Sequence, residues 1–256
     1  MQFSRKELRE FLDEKTEQYN NRSFIASDPI QIPHLFTKKE DIEIAGFLTA
    51  TIAWGNRTMI INNALRMMEL MDHAPYEFIK NHQESDLKSL QGFVHRTFNS
   101  RDLQYFITSL KHLYTHHQGL ESILLPNVKQ EDYQEAISNF KHLFFELPHL
   151  PRTRKHVSNP LKNSAAKRIN MYLRWMVRNS NTGVDFGIWK SHSPAKLSCP
   201  LDVHTGNIAR KLSILSRKQN DWKAVKELDL TLREFDPKDP VKYDFALFGL
   251  GVFEKF

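Results

Sequence analysis

Apolar residues recur along this chain at helical intervals almost from end to end. Leu8, Phe11 and Leu12 follow Ser4 and Glu7, a capping-box spacing, and predict a helix that ends near Asn20. Residues 21–36 are irregular, with Pro29 and Pro33 closing off helix. Thr37 with Glu40 marks a second capping box, and DIEIAGFLTATIAW then reads as a mostly buried helix broken at Gly55. Asn56 can cap the next helix, RTMIINNALRMMELMD, and Pro75 opens a short one through Ile79. Amphipathic spacing returns over Arg101 to His116 and over Gln130 to Leu147, after which the segment 148–163 breaks the period. Beyond it the pattern predicts a helix from Lys167, a loop around Asp185 to Pro194, and a helix starting at Asp202. Two more are expected, one near Trp222 to Phe235 and one after Pro240. No stretch alternates with period two, so the fold class is all-α, with about ten helices. The expected organisation is a single unit, 1–256, with approximate subdomains at 37–150 and at 1–36 plus 151–256.

Composition narrows the function classes. Of 256 residues, 40% are hydrophobic and 26% charged, which describes a globular chain. The nine glycines are too few for a Gly-rich dinucleotide fold. MQFSRKELREF is charged from its start and no run of about 18 apolar residues occurs, so neither signal peptide nor membrane span is expected. One cysteine, Cys199, excludes an internal disulfide and a four-cysteine cluster, and the cytoplasm is the expected compartment. The histidines, His116-His117 included, show no metal-ligand spacing, so neither metal nor cofactor is predicted.

Charge singles out one stretch. Pro151 to Arg178 carries eight Lys/Arg and no acid, against +6 for the whole chain, which points to a polyanionic partner. Within it Ile169, Tyr172, Leu173 and Met176 form an apolar stripe, while Lys167, Asn170, Arg174 and Arg178 follow along another face. Free N–H groups at residues 164–167 can hold a phosphate at the helix start. Lys167 stands in that first turn beside Arg168 and Lys162, a setting that works against the charged amine and towards a nucleophile. In PLDVHTGNIARKL, Asp202 caps the next helix and Thr205 offers the N3 position. Each feature also has an ordinary reading: a basic face can be merely solvated, Asp202 merely a cap, and His204 merely structural.

KRINMYLRW, a loop, and then PLDVHTGNIARKL resemble the helix-hairpin-helix superfamily of base-excision DNA glycosylases. The resemblance implies that Lys167 is the nucleophilic lysine and Asp202 the catalytic aspartate, with His204 in the same context. Asn207 occupies the place of that context's arginine, and Arg210 lies three residues on. Upstream, FLTATIAWGNR is similar to the stretch that fills the gap left by an extruded base, a role that falls to Asn56. Downstream, YDFALFGLG is similar to the closing helix of the superfamily. The glycines of the usual Leu-Pro-Gly-x-Gly hairpin are replaced by Asn163 and Ala165, so that hairpin's phosphate contact is expected to be remodelled. The interval from Lys167 to Asp202 is similar to the archaeal branch of oxoguanine glycosylases. KRINMYLRWMVR, GVDFGIW and DPVKYDFALFGLGVF look more closely like an uncharacterised conserved bacterial family, from which no activity carries over.

What the resemblance implies is a bifunctional glycosylase and lyase on damaged duplex DNA. Arg154, Lys155, Lys162, Asn163, Ser164, Arg168, Arg174, Asn56, Arg57 and His204 would contact the nucleic acid, and Trp54, Trp189 and Phe248 would stack on the extruded base. A non-catalytic nucleic-acid-binding protein and a helical interaction scaffold remain as alternatives.

Overall fold

The computed structural model describes residues 3–179 and 181–256. Among these, α-helices α1 (Arg5–Tyr19), α2 (Ser23–Ser27), α3 (Lys39–Ile52), α4 (Arg57–Leu70), α5 (Pro75–Asn81) and α6 (Glu84–Ser89) form the first part. Then come α7 (Ser100–His116), α8 (Gly119–Leu124), α9 (Gln134–Phe144), α10 (Lys167–Val177), α11 (Val203–Lys211), α12 (Trp222–Phe235) and α13 (Tyr243–Val252). Among the described residues the fold is all-α apart from one two-stranded hairpin, β1 (Val94–His95) with β2 (Phe98–Asn99), which periodicity had not foreseen. At two residues per strand there is no alternation to read.

Local capping places several of these helices. Ser4 and Glu7 form the expected capping box, Asn56 accepts from Met59 N–H at 3.1 Å, and Pro75 opens α5. The Thr37 box does not form: α3 is entered from Lys38 in extended backbone, without a side-chain cap. Helix α9 starts four residues later than expected and ends before Phe145, while 148–163 holds two short 3₁₀ turns.

Two helices sit at the centre. In α3 every residue from Ile42 to Ile52 is buried, and in α10 every residue from Ile169 to Val177 is buried, the pattern of helices covered on all sides. They pack on each other at Gly46, where an added Cβ would come 2.9 Å from Met176 Cε. One continuous apolar cluster, running through Phe47, Phe106, Phe140 and Tyr172, joins the two expected subdomains. Each such side chain is worth about 1.5–3 kcal/mol when fully buried. Helix α13 closes the molecule against α1 and α11, and a Cβ on Gly249 would stand only 2.1 Å from the Tyr19 ring. No helix is long and apolar enough to cross a membrane among the described residues.

Candidate functional site

The N-termini of α4, α10 and α11 converge with the Asp28-Pro29 turn and the face of α13 around a cavity of about 820 Å³. Residues of both expected subdomains line it: Trp54 and Arg57 from one, Lys167, Asp202 and Phe248 from the other.

Lys167 is the first residue of α10, entered through Ala166, which adopts a left-handed φ of +49°. Ala166 is buried, and for a residue with a Cβ that conformation costs about 1–2 kcal/mol. The half-buried Lys167 amine donates to Met171 Sδ at 3.5 Å and forms no ion pair among the described residues. Asp28, Asp202 and Asp244 line the same cavity, so the amine shares it with three carboxyls without pairing directly with any of them. Asp202 caps α11, accepting from Thr205 N–H at 3.0 Å with Oδ1, and the cap uses only that oxygen. No ion pair joins it to Lys167 among the described residues.

Two further carboxyls line the cavity, and neither was singled out in the sequence. Asp28 is buried, accepts from Ile30 N–H at 3.0 Å, and burial holds its pKa above the usual carboxylate range although Arg174, Arg57 and Lys167 pull the other way. Asp244 is pushed up to about 6, first by burial and then by Asp202, with Arg174 and Lys167 offsetting only part. Asp28 reads in sequence as an ordinary turn residue before proline. Asp244 left a clearer signal, an acid inside the apolar run YDFALFGLGV.

Arg174 is where the sequence reading fails. It was expected on a DNA-facing stripe, yet it is 4% exposed. Its Nε donates to Asp185 Oδ1 at 3.2 Å, its Nη1 pairs with Asp244, and its guanidinium lies 4.3 Å from the Phe245 ring centre. Burial opposes its charge, but the two carboxylates more than offset this and hold its pKa above the ordinary arginine value. Arg178 shares Asp185 and takes Asp239 as well, so this end of α10 is held in ion pairs and is not a solvated face. Arg174 nevertheless lines the cavity. Trp189 also leaves the list: buried in the core, it donates to Glu43 Oε1 at 2.7 Å and does not line the cavity.

The other candidates divide. Trp54, Phe248, Arg57, Arg168 and His204 all line the cavity. Arg57 lies 5.1 Å over the Phe248 ring. Arg168 lies 4.7 Å over Trp54 and donates to the Thr51 carbonyl, and burial lowers its pKa to about 10. Asn56 is exposed between two lining residues, with its side chain spent on the α4 cap. Asn163 holds a left-handed φ of +64° and donates to Asp221 Oδ2 at 3.0 Å, while Ser164 accepts from Ala166 N–H at 3.2 Å. Ser164 N–H itself bonds the Asn159 carbonyl, so two of the four N–H groups expected to hold phosphate are occupied. Lys155 and Lys162 are exposed outside the cavity, and Arg154 lies over the Phe145 ring at 5.4 Å.

A family model described as a protein of unknown function, DUF2400, matches residues 28–253. The chain belongs to that family, in agreement with its expected likeness to an uncharacterised one. No curated protein and no solved structure matches it.

Proposed function

We propose that the cavity is the base pocket of a DNA glycosylase with lyase activity, of helix-hairpin-helix type, acting on a damaged base. The observation that supports this most is that a half-buried amine without an ion-pair partner among the described residues, Lys167, and the half-used carboxylate of Asp202 line one cavity of about 820 Å³. They come from helix N-termini 35 residues apart, and Trp54 and Phe248 stand in the same walls with arginines laid over them. A cavity of this size suits a nucleoside, and extruding a base into it costs roughly a few kcal/mol, recovered by stacking on such rings.

The Lys167 Nζ lone pair attacks the sugar C1′ and the bond from C1′ to the base nitrogen breaks. The base leaves with that electron pair as its anion and takes up, by way of Asp202, the proton that the attacking amine releases. Asp202 accepts the proton released by the attacking amine, through a water, and its charge stabilises the positive sugar in the transition state. The sugar ring then opens to a Schiff base, loss of a C2′ proton expels the 3′ phosphate, and water hydrolyses the imine to return the free amine.

Borohydride reduction during incubation with duplexes holding an abasic site or a damaged base tests this directly. A covalent protein–DNA adduct is expected with the wild type and none with Lys167→Gln. Asp202→Asn is expected to slow adduct formation on base-containing duplexes by about 10²-fold or more. DNA binding without an adduct on any of these duplexes would leave a non-catalytic binding protein. No affinity even in low salt would leave an interaction scaffold.

A further inference from the structure

On the side of the molecule where α7 ends, away from the cavity lining, two imidazoles and a carboxylate converge. His112 Nε2 lies 3.1 Å from Glu146 Oε2, and His117 Nε2 lies 3.8 Å from the same oxygen. All three ligand atoms fall within 4.8 Å of one another. Around a tetrahedral zinc, with bonds of about 2.0–2.2 Å, neighbouring ligand atoms stand about 3.3 Å apart, so small side-chain rotations bring these three onto one ion.

The backbone that carries them is already set. Ser109 Oγ donates to the Phe144 carbonyl at 2.6 Å, and Tyr105 Oη donates to the Phe144 and Leu147 carbonyls at 2.8 and 3.3 Å. These bonds from α7 hold the chain on both sides of Glu146 against the helix that carries His112. His117 is the C-cap of α7, where the negative end of the helix dipole favours a cation. His116 stands beside His112 with ring centres 4.8 Å apart. His112 and His117 are partly buried and Glu146 is exposed, so an ion can reach the cluster from solvent.

We infer that His112, His117 and Glu146 form a binding site for a divalent transition metal of the zinc class, which clasps the end of α7 to the chain leaving α9. Two nitrogens and one oxygen suit such an ion, whereas magnesium prefers an all-oxygen shell. The spacing of the histidines alone showed no metal pattern because the third ligand comes from the chain that leaves α9, 29 residues beyond His117.

Zinc chloride titrated into the metal-free full chain, followed by calorimetry and by the thermal midpoint, decides this. Expected are saturable binding at one ion per chain and a midpoint that rises with zinc but not with magnesium. His117→Gln and Glu146→Gln should each weaken binding by about tenfold or more. His73→Gln, an exposed histidine elsewhere, should leave it unchanged. The metal-free midpoints of the two ligand variants should match the wild type, since an exposed pair contributes little. Absence of saturable zinc binding by the wild type, or equal binding by all three variants, would overturn the assignment.

Discussion

Lys167 and Arg174 lie two turns apart on one helix, on what the sequence presents as a single cationic stripe, and the fold treats them oppositely. Arg174 is sealed among Asp185, Asp244 and the Phe245 ring, and serves to close the interior. Lys167 lines a cavity with no ion-pair partner among the described residues and is entered through a strained alanine. Spacing along a helix therefore settles which residues share a face, but the neighbours packed on that face settle what the charges do. One end of α10 is locked in buried ion pairs and the other borders a cavity.

The sharpest way to break that comparison is to remove each charge in turn. Arg174→Gln leaves buried carboxylates uncompensated and is expected to lower stability by about 3–5 kcal/mol, read as a fall in the urea midpoint. Lys167→Gln is expected to change stability by only about 0.5 kcal/mol while abolishing adduct formation. Equal losses of stability in the two variants would erase the distinction.

A pH series tests the boundary residue, Asp244, which pairs with Arg174 and also lines the cavity. Its folded pKa is raised to about 6, so the folded state holds this proton more tightly than the unfolded chain does. The resulting stabilisation is complete below about pH 4 and is lost as pH rises through about 6, on the order of 3 kcal/mol. Subtracting the Asp244→Asn profile from the wild-type profile, both from urea unfolding at pH 4–7, should leave a difference that falls with rising pH. A flat or rising difference would contradict the environment assigned to this carboxyl.

The smallest effect is expected at Ala166. Glycine relieves the left-handed strain of about 1–2 kcal/mol but loosens the unfolded chain by about 0.4–1 kcal/mol, so Ala166→Gly should gain up to about 1.6 kcal/mol. Slower adduct formation in this more stable variant would sharpen the comparison, because it would tie the strain to the placing of Lys167.

Much of the site was legible because its parts are local. A helix start needs only a few consecutive residues to declare itself, so the Ser4, Asn56 and Asp202 caps and the start of α10 at Lys167 follow from the chain alone. The Thr37 box failed for the same locality: nothing nearby reveals that the chain enters α3 from Lys38 without a side-chain cap. Helical periods likewise determined the all-α class and both central helices. Tertiary structure alone decided the rest. Arg174 takes its partners from 11 and 70 residues away, and Trp189 meets Glu43 across 146. Asp28 and Asp244 reach one cavity from nearly opposite ends of the chain. Whether a charge is solvated, neutralised or left available depends on what is packed around it, and contacts made over such separations leave no trace in local spacing.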